Sequence, residues 1–154
     1  MFISVDAVQA HATNLTNLRT LHLFVLALWG GVLASEGVLE LLPLRRPELR
    51  PATVVFHYFI DLLVELPLLL GILLTGALLL HGRPFTGLVA AKVACGSIAV
   101  LANLACIVFV VKRRSASANL QAIWTRRIYA SALVGVPAGV GALILGAWLA
   151  RWIK

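Results

Sequence analysis

Charge is scarce in this chain. Only 12% of its 154 residues are charged, and Asp and Glu together number six, whereas a soluble domain carries about 25% charged residues. That excludes an ordinary water-facing surface. Cysteine is nearly absent as well. Cys95 and Cys106 return to one helix face, but at about 1.5 Å per residue they stand about 16 Å apart along it. They can neither bond to each other nor share an ion, so they read as small packing residues. There is no G-x-S-x-G motif and no glycine-rich loop ending in Lys, which removes support for hydrolase or kinase chemistry of those types. The N-terminal stretch MFISVDAVQAHATNLTN lacks a basic n-region and a small-residue cleavage site. It is expected to be a short tail or interfacial turn rather than a signal peptide.

What the chain has in abundance is apolar sequence. Hydrophobic residues make up 61%, and the mean hydropathy is +0.98. A helix crosses the hydrocarbon with about 20 mostly apolar residues, and four windows reach that length: 20–42, 53–80, 87–111 and 128–150. The expected architecture is all-α, one membrane domain over residues 1–154, folded as an antiparallel up-down four-helix bundle in the lipid bilayer. Pro43, Pro47 and Pro51 in LPLRRPELRPAT separate the first two helices. LHGRPFTG separates the next two. KRRSASANLQAIWTRR (112–127) is expected to be a longer polar loop with an interfacial turn around Trp124.

The formal charge of +7 does not point to nucleic acid, because the Lys and Arg residues sit at helix ends and loops rather than along one face. They set orientation instead. Arg45, Arg46, Arg50, Lys112, Arg113, Arg114, Arg126 and Arg127 fall on one side, and Arg19, Arg83, Lys92, Arg151 and Lys154 on the other. The richer side is expected in the cytoplasm, with both termini outside. In the last helix, Gly135 and Gly139 form a small-xxx-small pair that lets another helix approach, including one from a second copy in a homo-oligomer. Trp148 and Trp152 mark the outer interface.

HYFIDLLVE (57–65) places His57, Asp61 and Glu65 on one stripe, because four-residue steps drift only about 40° around a helix. Glu36 and Glu40 make a matching stripe on the first helix. In an antiparallel pair Glu40 lies level with His57 and Glu36 with Asp61. Asn103, Tyr129 and Ser131 stand close to the same depth. No Lys or Arg is expected there. An ionised carboxylate at mid-membrane costs roughly 2.5–3.5 kcal/mol, so protons, water or a bound cation must offset the charge. Carboxylate and imidazole from facing helices suit iron, manganese, zinc or copper. If the second span begins only at 62, His57 and Asp61 instead lie among the headgroups. On the opposite side His22 and His81 are nearly level, with Lys92 nearby and His11 in the tail. Two such histidines could hold a haem iron, with Lys92 or Arg83 meeting propionates.

LHLFVLALWGGVL (21–33) followed by GLVAAKVACGSIAVLANLACIVFVVKRR (87–114) resembles a loose group of small bacterial membrane proteins. It includes the copper-resistance D-type domain and the haem-J-type protoporphyrinogen oxidase. The shared pattern is His22, Trp29, Gly31 and Lys92. The resemblance implies a four-helix scaffold in the bacterial inner membrane, haem b on His22 and a functional Lys92. It does not extend to the row His57, Asp61, Glu65 or the pair Glu36, Glu40, and SEGVLEL stands where the oxidase has an Arg-rich continuation.

The expectation is therefore a divalent transition metal held by Glu36, Glu40, His57, Asp61 and Glu65, for binding, transport or metal-dependent redox chemistry. Asn103 and Tyr129 would support those ligands. The alternatives are a haem-b redox protein using His22, His81 and Lys92, and a non-catalytic subunit or proton-conducting element with protonated carboxylates.

Overall fold

The computed structural model describes residues 5–81 and 84–152. All of the regular structure within them is helical: α1 (Val5–Arg45), a 3₁₀ turn (Pro47–Leu49), α2 (Arg50–Ile60), a π-helical turn (Asp61–Glu65), α3 (Leu66–Leu80), α4 (Gly87–Ser115) and α5 (Ala118–Trp152). Four stretches are long and apolar enough to cross a membrane: Thr13–Arg45, Pro47–Leu80, Gly87–Ser115 and Ala118–Leu149. The first three expected windows each lie inside one of these, and the fourth, 128–150, matches Ala118–Leu149 except for its last residue. Arg83 and Lys154 lie outside the described residues.

Three boundaries differ from the sequence expectation, each for a local reason. The N-terminal segment is helical from Val5, because residues 5–20 contain neither Gly nor Pro to stop the helix. The connection between α1 and α2 shrinks to Arg46 and the 3₁₀ turn. Pro47 and Pro51 fall in first turns, where a missing N–H costs nothing. Pro43 is inside α1, and the carbonyl four residues before it, on Leu39, accepts a hydrogen bond from Thr53 Oγ1 at 3.4 Å. The basic loop 112–127 is largely absorbed into helix. Lys112, Arg113 and Arg114 form the last turn of α4, where cations favour the helix dipole. Only Ala116 and Ser117 separate α4 from α5.

α1 packs against α2 and α3, α2 against α4, and α4 along α5. The expected small-residue contact of Gly135 and Gly139 forms within the chain. An added Cβ at Gly135 would stand 3.1 Å from Ala102 Cβ, and one at Gly139 3.8 Å from Ala99 Cβ. At these two glycines the face expected to meet a second copy lies against α4. The apolar core joins Trp29, Leu69, Ile72, Ala99, Val100 and Ile107.

Polarity is distributed inside out. Nine of the buried residues are hydrophobic and nine are polar or charged, whereas Asp, Glu and Arg are almost never fully buried in soluble proteins unless paired. Meanwhile Leu63, Leu74, Leu101 and Leu133 project outward, Leu133 being 77% exposed. A contiguous apolar exterior of this kind marks contact with lipid or another protein.

Candidate metal centre

The centre is built where α2 gives way to α3. Pro67 has no N–H, and its ring crowds the carbonyl four residues earlier, so the preceding turn opens from α to π geometry. The Leu66 N–H accordingly bonds the Asp61 carbonyl, five residues back. Such single-turn widenings recur at functional sites. Here the wider turn takes back part of the 40° drift that each four-residue step accumulates, so His57, Asp61 and Glu65 all stay directed inward. They are buried, His57 at 2% exposure and Asp61 at 0%. Glu36 and Glu40 from α1 are buried opposite them.

The expected level pairing holds for Glu40 and His57, whose Oε1 and Nδ1 are 2.5 Å apart. The sequence expectation of no cation at this depth does not hold. Arg113 of α4 is 2% exposed and donates from Nη1 to Glu40 Oε2 at 2.9 Å and from Nη2 to Glu40 Oε1 at 2.6 Å. This is a bidentate pair of the strong, planar kind. It cancels one of the four carboxylate charges of the site from outside the set read in the sequence. Tyr129 OH donates to the Glu40 backbone carbonyl at 3.0 Å, which fixes the helix turn that carries this carboxylate. Ser131, placed at the same depth by sequence, donates locally to the Ile128 carbonyl at 2.8 Å.

The proton on His57 can be located by elimination. Two acceptors cannot sit 2.5 Å apart without a hydrogen between them, so Nδ1–H donates to Glu40 Oε1. The 3.1 Å approach of Arg113 Nη2 to the same nitrogen is then a contact between two donors and not a bond. His57 Nε2 is left facing Asp61 Oδ1 at 3.2 Å and Glu36 Oε2 at 3.9 Å. Glu36, His57 and Asp61 each offer a ligand atom, all within 4.8 Å of one another. Buried atoms without a hydrogen-bond partner include Glu36 Oε1, His57 Nε2, and Asp61 Oδ1 and Oδ2. Facing acceptors of this kind repel unless positive charge lies among them. A metal ion would supply it, and so would a second proton on the imidazole.

Glu65 is set apart from this trio. Its Oε1 accepts from Trp29 Nε1 at 3.1 Å, and Asn103 stands beside it, with Nδ2 unpaired. Glu40 is likewise engaged, by His57 and Arg113. The five candidate ligands thus divide into three that share one point and two that hold neighbouring side chains. Cys106, read as a packing residue, also stands beside the His57 ring.

The other candidate cluster is looser. His22 Nδ1 is 2.7 Å from Thr75 Oγ1, and the Thr75 hydroxyl donates to the Gly71 carbonyl at 2.6 Å. His22 must therefore be the donor to Thr75. His81 is exposed just beyond α3, and the Lys92 side chain lies against Gly146 of α5. No family model, no curated protein and no solved structure matches the chain.

Proposed function

We propose that this is an integral membrane protein of four antiparallel spans that binds one divalent transition-metal ion between Glu36, His57 and Asp61. The ion would serve transport or metal-dependent redox chemistry. The observation that carries the reading is the set of buried, unpaired acceptor atoms from two helices within 4.8 Å of one another. The donor set suits iron, manganese, zinc or copper. Glu40 accepts the Nδ1–H hydrogen bond of His57, which keeps Nε2 basic and aimed at Asp61 and Glu36. Carboxylate–histidine–metal arrangements rely on this contact to fix the tautomer. Arg113 keeps Glu40 ionised and oriented for that task.

The antiparallel order is supported by contacts that run in opposite directions along the chain: Glu40 with His57, Trp29 with Glu65, and His22 with Thr75. In a bacterial inner membrane the ends rich in Lys and Arg would face the cytoplasm, with both termini outside. Protein purified in detergent is expected to carry one transition-metal ion per chain and to lose it in Asp61→Asn. Preparations that are metal-free, and whose thermal unfolding is unmoved by added metal, would overturn the reading.

One observation favours a second reading. The 3.2 Å His57–Asp61 contact also suits a doubly protonated imidazole that donates to Glu40 and to Asp61. Arg113 and His57 would then balance Glu40 and Asp61, with Glu36 and Glu65 protonated, and the column would carry protons. Proton flux into vesicles, present without metal and abolished by Glu65→Gln, distinguishes this case.

A further inference from the structure

All six acidic residues precede Leu66, while residues 66–154 contain nine Lys and Arg. Arg113 is neutralised by Glu40, but the basic residues around it at the ends of α4 and α5 have no such partner. Lys112, Arg114, Arg126 and Arg127 form no ion pair among the described residues. Three of them lie over aromatic rings. Lys112 Nζ is 5.1 Å and Arg127 Cζ 4.7 Å from the Trp124 ring centre, and Arg114 Cζ is 4.0 Å from that of Tyr58. A guanidinium stacked on a ring uses its flat face. Its N–H edge stays available for a planar or tetrahedral oxyanion.

Arg127 also borders a shallow, largely open groove between α4 and α5. Ala102, Ala105 and Ala130 are too small to fill the space between the helices, and Phe109 and Val134 form its walls, leaving about 410 Å³. From Arg127 the groove follows α5 to Val134, about 10 Å at 1.5 Å per residue. The charged end lies at the basic end of the helices, and the apolar part runs toward their middle.

We propose that this groove binds an anionic glycerophospholipid, with the phosphate on the edge of Arg127 beside Lys112 and an acyl chain along Ala105, Ala102 and Val134. The inference rests on the membrane reading and is independent of the metal centre. Charge complementarity selects the occupant. A cationic end that meets no carboxylate of its own chain favours an external anion, and an apolar slot leading from it favours an anion that carries a hydrocarbon tail.

Trp124 reports on the site directly. In a Trp148→Phe/Trp152→Phe background, where the other remaining tryptophan, Trp29, is buried in the core and supplies a constant signal, phosphatidylglycerol with brominated chains is expected to quench Trp124 at about fivefold lower mole fraction than brominated phosphatidylcholine, the advantage of about one basic contact. Arg127→Gln should bring that ratio close to one, and Arg127→Lys should retain part of it. Arg126→Gln removes the same charge outside the groove and should leave the ratio largely intact. Ala130→Phe fills the groove and should weaken quenching by both lipids. Excess inorganic phosphate should change nothing. Equal quenching by the two lipids in the parent protein would overturn the proposal. So would an Arg126→Gln effect as large as that of Arg127→Gln, which would mean diffuse attraction, or displacement by inorganic phosphate, which would mean a soluble-anion site.

Discussion

The two halves of the α1/α2–α3 pair, one beside the α1–α2 connection and one away from it, carry similar raw material and use it differently. In the half beside the connection, Glu36, Glu40, His57 and Asp61 come together from two helices, and Arg113 closes the group from a third. In the other half, His22 meets one threonine, while His81 stays exposed beyond α3. Both pairs of titratable residues were nearly level in the sequence. The difference is direction as much as depth: His57 lies on the buried face of α2, whereas His81 follows the last turn of α3. The register that places Glu40 opposite His57 places Thr75, not His81, opposite His22. Level position proposes a contact, and the buried face decides it.

This contrast predicts a graded series of effects. The largest belongs to Arg113. Arg113→Leu leaves Glu40 as an uncompensated buried charge and is expected to cost about 3–5 kcal/mol, read as a lowered unfolding midpoint in detergent. The double variant Arg113→Leu/Glu40→Leu should recover much of that loss. Arg114→Gln next to it, exposed and stacked on Tyr58, should cost about 0.5–1 kcal/mol. Equal effects of Arg113 and Arg114 would dissolve the distinction between the buried pair and the surface.

Metal affinity sharpens the same contrast. Glu40→Gln keeps the shape of the side chain but weakens its hold on the His57 proton, so affinity should fall about 10–100-fold, measured by competition with a chelator. His22→Gln should leave the affinity within experimental error. Packing effects come next. Gly135→Leu drives a side chain into Ala102 and should destabilise by about 1–3 kcal/mol. Gly37→Ala, where nothing lies within 4 Å of an added Cβ, should stabilise by up to about 1 kcal/mol through helix propensity. An effect of similar size, about 0.5–1.5 kcal/mol, is expected for Thr75→Val, which removes one hydrogen bond to His22 without touching metal binding.

The four long helices were legible in the sequence because each apolar window exceeds the length that a membrane crossing needs. The cluster around His57 was legible because a short connection fixes the register of α1 against α2, and four-residue spacing fixes the face. Arg113 was not, since a Lys-Arg-Arg run after an apolar window reads as a loop. Its signal was periodicity: the buried positions of α4, among them Asn103, Ile107 and Val110, continue at helical spacing to Arg113. Pro67 marks where the helix must depart from α geometry but not how, because whether a turn widens or breaks depends on the contacts around it. Nor could spacing divide five candidate ligands into three that converge and two that position. That division came from Trp29 and Arg113, which reach Glu65 and Glu40 from other helices.

X-ray absorption at the edge of the metal that co-purifies with the protein reads the trio itself. One ion per chain is expected, with a nearest shell of an imidazole nitrogen and carboxylate oxygens at about 2.0–2.2 Å, lost in His57→Gln. A metal-free preparation, or a shell dominated by sulfur, would contradict the proposed metal centre.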